Sequence, residues 1–239
     1  MVSFRTTEEL LAWIVDYFAQ QFGAHAILKG GMAMRLLQSP RYTNDADYVF
    51  IPFASKNEIK DLIEGKLSQV AGLEYQMKLN SKAMRILVSY GGQNAQVEIN
   101  VLKDCPSIAA STTLLCSQYG MVPRVVRIMS LPVSFAHKIA AWNERRLMRD
   151  LYDIYQYAIA MKILPDSVTL QTRLVKPRVY RGVIPAETLE SLRAQLLTTA
   201  DELNDKSMRE LVSLLPEVEF AGLVVRMQMA LRLLAERLG

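Results

Sequence analysis

The period of the hydrophobic positions changes along the chain and divides it into two halves. Leu10, Leu11, Ile14, Val15 and Phe18 recur at helical spacing behind Thr6-Thr7-Glu8-Glu9, where a hydroxyl cap and first-turn acids predict a helix start. Phe22-Gly23 marks its stop. A strand is predicted over 24–28, then two glycines, a short amphipathic pattern over 32–37, a polar turn containing Pro40, and an apolar run over 48–51. Residues 54–70 read as an exposed helix with Ile59, Leu62, Ile63 and Leu67 on one face, ended by Gly72. Three strand patterns follow at 73–79, 83–90 and 95–102, joined by hairpin turns at Asn80-Ser81-Lys82 and Gly91-Gly92-Gln93-Asn94. Residues 103–127 are irregular, with one short strand expected at 125–129. Beyond Pro132, which suits a first helical turn, the pattern is helical. A helix to about 146 is continued over 147–161, either after a kink or as a new helix. Further helices are predicted at 166–175, 185–198, 206–214 and 218–238, punctuated by Pro165, Pro177 and Pro216.

The expectation is therefore an α/β domain with a mixed sheet over 1–130 and a helical domain over 131–239, the boundary lying near Met129-Ser130-Leu131. The stripe Leu223, Met227, Ala230, Leu231 and Leu234 reads as bundle core. Arg226, Arg232 and Arg237 beside it read as a solvated face, or one turned to a protein or RNA.

Composition narrows the class. With 51% hydrophobic and 22% charged residues, 239 residues can bury a core as one large domain or two small ones. Apolar runs break well before the ~18–20 residues of a membrane span. Met1-Val2-Ser3-Phe4-Arg5 runs straight into acidic, helix-forming sequence, unlike a secretory signal. Cys105 and Cys116, the only cysteines, have no CxxC spacing, so a reduced cytoplasmic setting and no membrane partner are expected. A net charge of +4 permits a polyanionic partner without requiring one.

The candidate chemistry gathers around the glycine turn. Gly30-Gly31 would let a phosphate approach the backbone at a helix start, or would simply make a tight strand-to-helix turn. Lys29 before them is either solvated or within reach of phosphates. Asp45 and Asp47, at i and i+2 on a predicted strand, point to one side and can share metal ions. Glu98 interrupts an apolar strand and shares a face with Gln96 and Asn100. That face is either solvated, or Glu98 lies beside the aspartates as a third ligand or the acceptor of a proton. Three carboxylates close together repel unless a divalent cation neutralises them, so the arrangement implies Mg²⁺ or Mn²⁺. Farther on, Lys138, Arg145 and Arg149 would align on one face of an unbroken helix, with Asp153 four residues later. An Arg149–Asp153 pair would stitch a solvated face, whereas Lys138, set among apolar residues, could be aimed at a triphosphate. His25 and His137 have no metal-ligand spacing and read as structural.

Lys29-Gly30-Gly31-Met32-Ala33-Met34-Arg35-Leu36 followed by Arg41-Tyr42-Thr43-Asn44-Asp45-Ala46-Asp47 resembles the KGGTALR…RxSxDxD signature of AbiEii-type nucleotidyltransferase toxins. These are members of the polymerase-β-like nucleotidyltransferase superfamily. The stretch from Lys138 through Arg145 and Arg149-Asp150 to Asp153 resembles the same family's KxxAxxxRxxxRDxxD element. The resemblance, covering roughly residues 24–160, implies a polymerase-β-like α/β fold, ahead of the helical bundle that the hydrophobic pattern predicts. It makes Asp45 and Asp47 metal ligands and gives Lys29, Gly30, Gly31, Arg41, Lys138, Arg145 and Arg149 to the nucleotide. It also sets Asp150 and Asp153 with the catalytic residues. Met32 departs from the Thr or Ser common after the glycines, and Asn44 is not diagnostic. The activity implied is metal-dependent transfer of a nucleoside monophosphate from an NTP to a hydroxyl, with an RNA (tRNA) 3′ end as expected acceptor. The setting implied is the toxin of a type IV-like toxin–antitoxin or phage-defence pair, with a separate antitoxin. A small-molecule acceptor, or a catalytically silent nucleotide- or partner-binding module, would carry the same motifs.

Overall fold

The computed structural model describes residues 3–81, 83–180 and 182–238. The chain divides into two compact units, Met1–Met129 and Ser130–Gly239.

The first unit is built on a seven-stranded mixed sheet. Helix α1 (Thr7–Phe22) opens it, with the Thr6 hydroxyl accepting the Glu9 amide at 3.1 Å. Then come β1 (Ala26–Lys29), α2 (Gly30–Leu36), β2 (Asp45–Phe50), α3 (Lys56–Leu67), β3 (Glu74–Leu79), β4 (Met84–Tyr90) and β5 (Gln93–Val101). β6 (Ser107–Ser111), α4 (Thr113–Ser117) and β7 (Val125–Met129) complete it. Strand order is β3-β4-β5-β2-β1-β7-β6, with β1–β7 and β2–β5 parallel and the remaining pairs antiparallel. Period-2 alternation sends Ala46, Tyr48 and Phe50 of β2 to one face. There the Tyr48 and Phe50 rings meet Phe18 and Phe22 of α1 at centroid distances of 5.0 and 5.1 Å. Desolvation in that core raises the Tyr48 phenol pKa. The opposite face carries Asp45 and Asp47.

Several boundaries differ from the sequence expectation. β5 begins at Gln93, because Gly91 and Gly92 alone make the turn at φ +58° and +83°. The other hairpin turn includes Lys82, which lies outside the described residues. Residues 103–127 hold β6 and α4 besides β7. The edge strand Ser-Ile-Ala-Ala-Ser is too short and too weakly alternating to announce itself. In α3, Leu62 is exposed while Ile59, Ile63 and Leu67 are buried.

The second unit is helical. α5 (Leu131–Arg145) carries Pro132 in its first turn and stops at Arg146, which adopts left-handed φ +55°. A new helix, α6 (Met148–Tyr155), runs into a π-helical turn, Gln156–Ala160. α7 (Ser167–Val175), α8 (Leu189–Glu202) and α9 (Leu223–Arg237) follow, the last with its apolar stripe fully buried. The helix expected over 206–214 is instead 3₁₀ over Asp205–Leu211, and the first turn of the one expected over 218–238 is 3₁₀ over Glu217–Phe220, ahead of α9. Asn143, itself buried, donates to the Ala186 carbonyl and accepts the Ala186 amide, both at 2.8 Å, which ties α5 to the segment before α8. Arg232 pairs with Asp201, and Arg226 bonds the Tyr155 hydroxyl and the Glu219 carbonyl, so these two of the three basic residues of that flank serve local structure. Among the described residues, no helix is long and apolar enough to cross a membrane.

Candidate active site

Strand register brings two of the candidate acids of the first unit, Asp47 and Glu98, side by side. Lys29 of β1 stands opposite Asp47 of β2, Asp47 opposite Glu98 of β5, and Glu98 opposite Arg85 of β4. Cross-strand partners share a face, so these four side chains form a line, cation–acid–acid–cation, with Asp45 two residues along from Asp47. The outer cations take the inner acids: Lys29 Nζ lies 3.6 Å from Asp47 Oδ1, and Arg85 Nη2 lies 3.4 Å from Glu98 Oε2. Asp45 is held differently, its Oδ1 accepting the Thr43 hydroxyl at 2.7 Å. The carboxylates are thus neighbours in register but lean toward separate partners. Among the described residues no three His, Cys, Asp or Glu side chains are drawn together into a metal-binding group.

The diglycine is fixed by what lies against it. Gly30 has φ +72°, a conformation that L side chains rarely adopt, and a Cβ there would run into Asp47 Oδ2. A Cβ on Gly31 would stand 2.7 Å from the Thr43 hydroxyl and 3.0 Å from Arg41 Nη2. Both glycines are therefore required by close approach, and what approaches them is the loop and strand that carry the acids. Arg41 is buried, with Nη1 donating to the Tyr42 carbonyl at 3.2 Å. The stretch from Lys29 to Asp47 closes on itself around the start of α2.

In the second unit the downstream motif also forms a cluster. Asp150 and Asp153 have no solvent exposure. Lys138 Nζ lies 2.6 Å from Asp153 Oδ2 and 3.8 Å from Asp150 Oδ1. The Arg145 guanidinium grips Asp150 with two bonds, at 2.6 and 2.7 Å. That fork raises the Arg145 pKa further, against the opposing effect of burial. Arg149, beyond the break at Arg146, is exposed, so the Arg149–Asp153 pair suggested by spacing gives way to Lys138–Asp153. Arg149 and Asp153 both lie on α6 and keep their i,i+4 spacing, but the Asp153 carboxylate is buried against Lys138 of α5 while Arg149 faces solvent. His25 Nδ1 meets the Ile51 carbonyl at 2.8 Å and His137 meets Arg173 at 3.2 Å, both structural contacts.

Two participants went unread in the sequence. Arg85 could have been found by counting back from the two-residue turn, because pairing Tyr90 with Gln93 places Arg85 opposite Glu98. Thr43 occupies the motif position just before the acids, yet its bond to Asp45 is a matter of side-chain geometry alone.

A family model, described as the nucleotidyl transferase AbiEii toxin of the type IV toxin–antitoxin system, matches residues 14–224. Among solved structures, a candidate nucleotidyltransferase from H. pylori aligns with a TM-score of 0.50 at 14% identity, over 97% of this chain and 92% of that one. JHP933 from Helicobacter pylori aligns with a TM-score of 0.48 at 15% identity, over 100% of this chain and 93% of that one. No curated protein matches. The first of these alignments agrees with the fold expected from the glycine turn and aspartate strand, and the family match spans both clusters. The chain is a nucleotidyltransferase and belongs to the AbiEii toxin family of type IV toxin–antitoxin systems.

Proposed function

We propose that this chain transfers a nucleoside monophosphate from an NTP to the 3′ hydroxyl of an RNA, with a divalent cation held by Asp45, Asp47 and Glu98. In this reading it is the toxin of a toxin–antitoxin or phage-defence pair, restrained by a separately encoded antitoxin. The observation that carries the reading is the in-register row Lys29–Asp47–Glu98, with Asp45 on the same face and Gly30 packed against Asp47.

The donor set suits a hard cation, being oxygen only, without His or Cys. Mg²⁺ is commonly bound through one or two carboxylates together with substrate phosphates, so a complete protein cage is not required. Bound there, Mg²⁺ or Mn²⁺ would offset the repulsion of adjacent carboxylates and the charge of the phosphates. The chain's own residues do the rest. The backbone of Gly30 and Gly31 at the start of α2 is assigned to the phosphate oxygens, with Lys29 and Arg41 supplying positive charge beside it. Lys138 and Arg145, braced by buried acids, are the cations of the second motif assigned to the triphosphate, with Arg149 as a further basic residue. The acceptor oxygen forms a bond to the α-phosphorus, the bond from that phosphorus to the α,β-bridging oxygen breaks, and pyrophosphate leaves. The acceptor proton passes to a carboxylate of the row, a role assigned to Glu98.

Incubation with each radiolabelled NTP, Mg²⁺ and total RNA tests this. Label should enter RNA with the wild type and not with Asp47→Ala. Equal labelling by both proteins would remove the assigned site.

A further inference from the structure

Beside Asp45 the first unit has a cavity that none of the assigned site residues lines. Its volume is about 420 Å³, within the usual range of small-molecule sites. Tyr42, Thr43 and Asn44 form one wall, Thr6 and Glu8 at the start of α1 another, and Tyr119 completes the lining of this open cleft. The walls are fixed by a hydrogen-bonded hub behind them. Glu8 accepts from Arg35 Nε at 2.6 Å with one oxygen and from the Tyr119 hydroxyl at 2.7 Å with the other. The Arg35 guanidinium also lies 5.7 Å from the Tyr42 ring centroid, steadying a ring that stays 44% exposed.

The chemistry of this lining differs from that of the glycine turn. Among the described residues no Lys or Arg lines the cavity, and both oxygens of Glu8 are engaged, so this lining does not recruit a phosphate. It offers two phenol rings and the Asn44 side-chain amide, which is exposed and makes no hydrogen bond among the described residues. An aromatic face with a free donor–acceptor amide suits a flat, neutral, hydrogen-bonding heterocycle. Thr43 is shared: it lines the cavity and its hydroxyl holds Asp45. A group seated there is therefore one side chain away from a carboxylate assigned to the reaction.

We infer that this cavity is a nucleoside subsite, taking the base and ribose of one of the two reaction partners, with Tyr42 as stacking surface and Asn44 as reader of the base edge. The inference rests on the nucleotidyltransferase reading and adds the residues that choose the base. Two sources share this chemistry, the incoming NTP and the terminal nucleoside of the RNA, and the kinetics distinguish them. Burial and the Glu8 contact push the Tyr119 phenol up to about 12, so it stays protonated near neutrality and continues to brace Glu8.

The test compares wild type with Tyr42→Ala and Asn44→Ala, two exposed positions, after circular dichroism confirms unchanged folding. Dissociation constants are measured for ATP, GTP, CTP, UTP and inorganic tripolyphosphate, and KM for total RNA in the labelling assay. If the subsite serves the NTP, discrimination among the four falls about tenfold in the variants while tripolyphosphate binding is unchanged. If it serves the acceptor, NTP binding is unchanged and the RNA KM rises about tenfold. With an active wild type, variants that alter neither would overturn the subsite and leave the catalytic reading intact. A wild type that binds no NTP and transfers no label would overturn the catalytic reading, and the subsite with it.

Discussion

Lys138 and Asp153 are best separated by removing them singly and together. The pair is close, 2.6 Å, with Asp153 fully buried and Lys138 16% exposed. Replacing Asp153 by Leu leaves Lys138 with only the distant edge of Asp150, 3.8 Å away and already committed to Arg145. Replacing Lys138 by Met leaves Asp153 buried without its near cation. Stranding one member of a buried pair costs about 3–5 kcal/mol, and the partial exposure of Lys138 places these variants near the lower end, about 3 kcal/mol each. For a unit of this size that is a melting-temperature drop on the order of 10 °C. The double variant removes both charges and fills the space with apolar groups, so it should return to within about 1 kcal/mol of wild type. Trp142, buried one turn from Lys138 on α5, reports the second unit in urea melts once Trp13 is replaced by Phe. A double variant that is folded but inactive would match the assignment of Lys138 to the triphosphate. A loss in the double equal to the sum of the singles, about 6 kcal/mol, would show that the two residues do not stabilise one another and refute the reasoning.

Three further outcomes are expected. Gly30→Ala should lose about 1–2 kcal/mol from its left-handed backbone alone, and activity should fall more than stability because the new methyl displaces the Asp47 carboxylate; wild-type activity in this variant would contradict the packing described. Asn143→Leu should cost about 2–4 kcal/mol in chemical denaturation, since it strands the Ala186 amide and carbonyl in a buried position. Tyr119 has a folded pKa raised above its unfolded value of about 10, so its contribution to stability is complete below pH ~10 and lost as pH rises toward 12; Tyr119→Phe should flatten that part of the alkaline melting profile relative to wild type.

What the sequence determined by itself was local. Helical spacing from Leu10 to Phe18, the glycine pair, the aspartates at i and i+2 and the change of period near Met129 each depend on residues a few positions apart, where steric preference and burial leave a mark in the order of residue types. Even the grouping of Lys138 with the second motif is nearly of this kind, since α5 and α6 are consecutive. The packing of α6 against α5 was not, and it decided that Asp153 pairs with Lys138 while Arg149 turns to solvent. Sheet order and register were decided by tertiary structure. Lys29, Asp47, Glu98 and Arg85 are separated by up to 69 residues in sequence, and β5 lies beside β2 only because the β3–β4–β5 meander folds back parallel to it. Such pairings reflect the burial of whole sheet faces, which no short window of sequence records. The cavity beside Asp45 is the extreme case, since its walls come from α1, from the loop before β2 and from Tyr119, and none of those stretches announces a binding surface when read alone.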